Sequence, residues 1–177
     1  MIKQIKWSYE DYYHLEDDKR YEVIEGELIE MAPSPLSNHQ RMLQKLFKKI
    51  DSYVEQNNLG EIFIAPLDVI FAQDNVLQPD IIFISKENEN IIQERGVFGS
   101  PDLVIEILSP STIKMDQVIK YKLYEKFKVK EYWIVDHIKN TSSVYTLEND
   151  KFILSASGEN IKSKLLKDFI IDIARLQ

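Results

Sequence analysis

The chain has no cysteine. Disulfides, zinc–thiolate sites, iron–sulfur clusters and thiol nucleophiles are therefore excluded together, and the absence suits a cytoplasmic protein. Glycine and proline are scarce, at 5 and 6 among 177 residues, and no linker, repeat or low-complexity tract divides the chain. Long apolar runs are missing too. Nothing approaches the roughly 18 apolar residues of a membrane span, and the start, MIKQIKWSYEDYYHLEDD, has no apolar signal region. We expect a soluble, cytoplasmic protein without a membrane partner.

Positive charge is in deficit, with a net of −7, but the deficit is uneven. Residues 1–30 hold nine acids against four bases, and the remaining 147 residues hold twenty against eighteen, which is close to balance. For a polyanionic partner, local clustering of bases matters more than the total. The 44% hydrophobic and 11% aromatic content is enough to bury a core that offsets the entropy of ordering the chain. The length suits one domain spanning residues 1–177.

YEDYYHLEDDKR reads as a short helix or turn, and RYEVIEGELIEMA as a β-hairpin turning at Glu25-Gly26. From Ser37 to about Asn57, Leu43, Leu46, Phe47, Ile50, Tyr53 and Val54 recur at helical spacing, with Ser37 or Asn38 as the N-cap. Arg41, Lys45, Lys48 and Lys49 form a basic face on that helix. GEIFIAPLDVIFA, LQPDIIFIS, PDLVIEILS and EYWIVDHI have the β-branched and aromatic content of strands. Between the last two, Met115, Ile119, Leu123 and Phe127 predict an amphipathic helix capped by Ser111 or Thr112, so those strands should run parallel. A further hairpin should turn at Asn149-Asp150. Together these predict an α/β or α+β domain: a mixed central β-sheet flanked by helices, with an N-terminal β-hairpin.

One residue breaks the pattern. Glu106 stands between Ile105 and Ile107, with Val104 and Leu108 on its own face. Burying a carboxylate there costs several kcal/mol unless it is protonated, paired or bound to a metal. Asp80, which opens the strand DIIFIS, supplies a second carboxylate; on a neighbouring strand the two could share a hard divalent cation. Lys120 lies on one helical stripe with Asp116 and Tyr124, at spacings of four. Plainer readings stand beside these. Pro-Asp is a common turn dipeptide, repeated at Asp102, and Asp116 with Lys120 could be an exposed i, i+4 pair. Tyr124, Tyr132 and Trp133 are assigned to packing, and Lys114, Lys122, Lys126, Lys128 and Lys130 to a second basic cluster.

RYEVIEGELIEMAPSPLSNHQ, QPDIIFIS, PDLVIEILSPST and KYKLYEKFKVKEYWIVD together resemble the Uma2 family, domain of unknown function 820, of the PD-(D/E)XK restriction-endonuclease-like fold. The resemblance runs from about Tyr9 to the C-terminus. It implies a nuclease core in which Asp80 and Glu106 bind Mg²⁺ or Mn²⁺. The superfamily places a lysine two residues after the glutamate, but Leu108 stands there; Lys120 matches a lysine displaced to the following helix. Glu22 matches a further acidic position, although Glu25, Glu27 and Glu30 make a solvated strand an equal reading. His39 opens the basic helix at a position where many members carry histidine, for contact with phosphate or the metal shell, or for packing.

The expected function is therefore a metal-dependent endonuclease. Asp80, Glu106, Lys120 and Glu22 would be catalytic, and His39, Arg41, Lys45 and Lys48 would contact DNA. Removing Asp80, Glu106 or Lys120 should abolish cleavage and leave the fold intact. By analogy the chain would act as a homodimer. The alternative is an inactive relative that keeps the fold and binds nucleic acid or a protein. A carboxylate pair acting on sugars fits less well, because basic helices rather than aromatics follow the acids.

Overall fold

The computed structural model describes residues 6–31, 36–110 and 112–176. Ser8 starts helix α1 (Tyr9–Tyr13) with a capping box, its hydroxyl accepting from the Asp11 N–H while the Asp11 carboxylate accepts from the Ser8 N–H. Strands β1 (Tyr21–Ile24) and β2 (Glu27–Glu30) form the expected hairpin. Its turn residues, Glu25 and Gly26, have φ of 52° and 83°, as a tight turn between twisted strands requires. Helix α2 (Ser37–Gln56) follows, with its N-cap at Leu36 rather than at Ser37 or Asn38 and no side-chain cap bond.

GEIFIAPLDVIFA is two strands, β3 (Gly60–Ile64) and β4 (Val69–Ala72), parted by the Ala65-Pro66 segment and placed in different sheets. Then come β5 (Asn75–Leu77), β6 (Ile81–Ser85), a 3₁₀ turn, β7 (Ile92–Gln93), β8 (Gly96–Phe98) and β9 (Leu103–Ile107). A helix follows, wound as π-helix over Met115–Lys120 and continuing as α3 (Tyr121–Lys126). Strands β10 (Glu131–Asp136), β11 (Thr141–Glu148), β12 (Lys151–Gly158), β13 (Asn160–Lys162) and β14 (Ile170–Asp172) complete the chain, with a last 3₁₀ turn at Ala174–Leu176.

The central sheet has the order β12-β11-β10-β9-β6-β3 and is mixed. β9 and β10 are parallel, as the intervening helix predicts, and the other neighbours are antiparallel. A second sheet, β2-β1-β5-β4-β8-β7, incorporates the N-terminal hairpin. Alternation along β9 divides the core. Leu103, Ile105 and Ile107 pack with α2 and the C-terminal segment on one face, while Val104 and Leu108 pack on the other with Leu123, Tyr124 and residues of the second sheet. Buried on both faces, β9 reads as a continuous apolar run apart from Glu106.

The helix after β9 departs from the expected stripe. Ile119 is 36% exposed and Val118 43%, while Asp116 and Lys120 are buried. The π turn closes i→i+5 rather than i→i+4, so it places more residues in each turn and rotates the face that an α-helix would turn inward. Of the two expected caps, Ser111 lies outside the described residues, and Thr112 Oγ1 bonds Ser109 instead.

The C-terminal segment is tied down by a second buried glutamate. Glu131, at the start of β10, accepts from Ser163 Oγ at 2.6 Å and from the Lys164 N–H at 2.9 Å. We predict that Glu131→Ala leaves these donors unpaired and lowers the unfolding free energy by about 2–4 kcal/mol, measured by urea denaturation.

Candidate active site

Glu106 is 4% exposed, and its partners come from the following helix. Lys120 Nζ donates to Oε1 at 3.0 Å, and the Tyr124 hydroxyl donates to the same oxygen at 2.7 Å. Lys120 Nζ also lies 2.8 Å from Glu22 Oε1 and 3.9 Å from Asp116 Oδ1. Glu22, the one acid of the first hairpin that is buried, accepts in addition from the Gln78 N–H at 3.0 Å. Three carboxylates from β1, β9 and the π-helix thus surround one ammonium. The π winding makes this possible by turning both Asp116 and Lys120 inward ahead of Tyr124. An exposed i, i+4 pair is ruled out, since Asp116 is 2% and Lys120 5% exposed.

Asp80 joins from the neighbouring strand. Ile81 pairs with Ile105, so one step further in that antiparallel register Asp80 stands opposite Glu106. Asp80 Oδ2 accepts from the Ile107 N–H at 2.8 Å and lies 3.3 Å from His39 Nε2. The same imidazole nitrogen is 3.0 Å from the Ile107 carbonyl oxygen. With two acceptors in front of it, Nε2 carries a hydrogen. His39 thereby leaves the surface of α2 and fastens its first turn to the end of β9.

Burial dominates the electrostatics. It pushes the Glu106 carboxyl well above the usual carboxylate range, against the pull of Lys120 and with the help of Asp116 and Asp80. Burial likewise raises Asp116, to about 6, opposed by Lys120. Burial also works against the charge of Lys120, but Glu106, Glu22 and Asp116 outweigh it and hold its pKa well above that of a free lysine. Lys120 stays cationic. Burial and the Glu106 charge push the Tyr124 hydroxyl well up, which keeps it a donor. Burial works against the His39 charge, but the bond to Asp80, the Asp80 charge and the Ile107 carbonyl together outweigh it and raise its pKa.

Three acidic side chains, Glu22, Glu106 and Asp116, therefore share one lysine; a fourth, Asp80, stands opposite Glu106 and pairs with His39, and Asp116 Oδ1 is buried without a hydrogen-bond partner. That surplus of negative charge, carried on hard oxygen donors, fits Mg²⁺ or Mn²⁺, which often takes only one or two protein carboxylates. Asp80 and Glu106 are the opposed pair that would hold the ion. Both bonds to Glu106 fall on Oε1, so Oε2 is the oxygen a cation can claim.

Of the residues expected to meet DNA, His39 is buried, Lys45 is partly buried, and Arg41 and Lys48 are exposed. The second basic cluster is dispersed into ion pairs, Lys126 with Glu25, Lys128 with Asp150 and Lys130 with Asp102. Asp102, the other Pro-Asp, is structural, accepting from the Ser85 N–H at 2.8 Å. Tyr124 packs in the core, as expected, and its hydroxyl also donates to Glu106, a polar role signalled by its place on the Asp116–Lys120 stripe.

The Uma2 family model, described as "Putative restriction endonuclease", matches residues 9–174. Among solved structures, the chain is similar to the crystal structure of "a putative nuclease belonging to DUF820" from Anabaena variabilis ATCC 29413, with a TM-score of 0.77, 20% identity and 96% of each chain covered. Identity at that level shows the fold, which is restriction-endonuclease-like. No curated protein matches.

Two outcomes follow for the metal-free protein. Lys120→Ala leaves the surrounding carboxylates uncompensated, so the earlier expectation of an intact fold is revised: it should cost about 3–5 kcal/mol of unfolding free energy by urea titration. Asp116, with its pKa raised, holds a proton in the folded state between about pH 4 and pH 6 that the unfolded chain has released. Stability should therefore fall as pH rises through that window, and Asp116→Asn should flatten the slope in urea titrations at a series of pH values.

Proposed function

This chain belongs to the Uma2 family, and from that premise we propose that it is a metal-dependent endonuclease hydrolysing DNA phosphodiester bonds. The observation that carries the reading is the convergence of Glu106 and Glu22 on Lys120, with Asp80 opposite Glu106 on the neighbouring strand, in a protein whose acids would otherwise have no reason to be gathered there. A divalent ion bound by Asp80 and Glu106 would lower the pKa of a water and neutralise charge on the phosphate. Lys120 is close enough to Glu106 to orient a water beside that carboxylate and to stabilise charge developing in the transition state. Its entry from the helix supports the reading that the lysine missing after Glu106 has been replaced from outside the strand. Tyr124 and Glu22 hold Glu106 and Lys120 in place. His39 orients Asp80. Exposed Arg41 and Lys48 on α2, with Lys45 beside them, would meet the phosphate backbone. Cutting both strands with one such site per chain would require a homodimer.

One observation favours a second reading, an inactive fold that binds nucleic acid or a protein. Lys120 already compensates Glu106 and Glu22, and among the described residues no three His, Asp or Glu side chains form a ready metal site.

The test is calorimetric titration of Mn²⁺ and Mg²⁺ into the wild type, Asp80→Asn and Glu106→Gln, with plasmid and single-stranded DNA cleavage on the same preparations. The endonuclease reading expects metal binding and cleavage in the wild type and loss of both in each variant. A folded wild type that neither binds metal nor cuts DNA would establish the second reading.

A further inference from the structure

Beside the carboxylate cluster lies a cleft of about 420 Å³, lined by Asn38, Arg41, Met42, His137, Ile138 and Leu176. It is connected to the proposed site through histidine. The His137 ring is 6.1 Å from the His39 ring, edge to face, and His39 Nε2 is 3.3 Å from Asp80. The lining divides chemically into a guanidinium, an amide and an imidazole on one hand and three apolar side chains on the other. Among the described residues its lining holds no carboxylate, in a chain of net charge −7.

Two further features point to a missing polar ligand. Among the described residues Arg41 has no ion-pair partner, although Arg is the side chain best shaped for two-pronged contact with phosphate. The Nδ1 atom of His137, which lines the cleft, is buried without a hydrogen-bond partner, a state that costs about 1–3 kcal/mol unless something arrives to satisfy it. On the apolar side, Ile138 is 67% exposed and stands at the cleft. The volume lies within the range of roughly 300–1,000 Å³ that small ligands occupy.

We propose that this cleft binds one nucleotide unit of a DNA strand. Arg41, Asn38 and His137 hold its phosphate, and its sugar or base lies against Met42, Ile138 and Leu176. The inference rests on the nuclease reading for the source of the nucleotide, and it gives that reading a register: the strand is gripped one imidazole away from Asp80, so the neighbouring phosphate is the one presented to the carboxylates. The basic face of α2 would then be a continuation of a specific contact rather than a diffuse one.

The test uses the full chain in EDTA, where no metal-dependent cleavage occurs. Deoxythymidine 5′-monophosphate, inorganic phosphate and a short single-stranded oligonucleotide are titrated in turn while the imidazole resonances of His39 and His137 are followed by NMR. The proposal expects the monophosphate to shift both histidines saturably and the oligonucleotide to displace it. Affinity should weaken about ten-fold in Arg41→Glu and in Ile138→Glu, the latter at a position exposed enough to accept the change without unfolding. Inorganic phosphate binding as tightly as the monophosphate would reduce the cleft to a simple anion site and overturn the proposal. So would unchanged affinity in both variants, or a monophosphate that the oligonucleotide does not displace. Cleavage in the plasmid assay run with Mn²⁺ or Mg²⁺, without nucleotide binding in EDTA, would sink the cleft and spare the nuclease reading; nucleotide binding without any cleavage would do the reverse.

Discussion

A glutamate in the middle of a strand buried on both faces has to be compensated, and the Lys120 ammonium is what compensates it. Much of the surrounding architecture follows from that pairing. Lys120 belongs to a helix that must present it inward, so the helix is wound as a π-helix over its first turns and leaves Val118 and Ile119 facing water. The ammonium then serves Glu22, which fixes the N-terminal hairpin, and with it the second sheet, against the central one. Tyr124 shares the Glu106 oxygen that Lys120 uses, so one carboxylate atom anchors two successive turns of the helix.

A protein seeking stability alone would have little use for this arrangement, since a buried ion pair is often no better than well-packed apolar side chains. Here the charges do not even balance: three carboxyl groups share one lysine, and burial raises Glu106 and Asp116 accordingly. Local cost of this kind, concentrated on hard oxygen donors beside a π turn, is the pattern expected where a fold has been kept for chemistry.

Ile107 shows how the two halves of the core are joined at this point. Its side chain packs on the α2 face, its N–H donates to Asp80, and its carbonyl faces His39. The backbone directly after Glu106 therefore binds the helix on one face of the sheet to the carboxylates on the other. The nucleotide cleft and the carboxylate cluster share that junction, because His39 contacts both Asp80 and the ring that lines the cleft.

Much of this was legible in the residues. Positive φ at Glu25-Gly26 and at Asn149-Asp150 bears out two turns read from local chemistry alone, and the strand–helix–strand order foretold the parallel pair β9 and β10. Glu106 announced itself because a charge in an apolar run has no local explanation. Local periodicity failed where the energy was not local. The Met115–Phe127 stripe reads as an α-helix with an apolar face, but burial of Asp116 and Lys120 against carboxylates far away in sequence outweighed that preference. For the same reason Glu22 could not be told from Glu25, Glu27 and Glu30, nor Tyr124 from a packing residue. The sequence by itself determined the two hairpins, the parallel pair β9 and β10 and the one residue that demanded a partner; only the tertiary structure placed β3 and β4 in separate sheets and decided which charges that partner would serve, because a buried charge is stabilised by whatever the whole fold brings within about 4 Å of it.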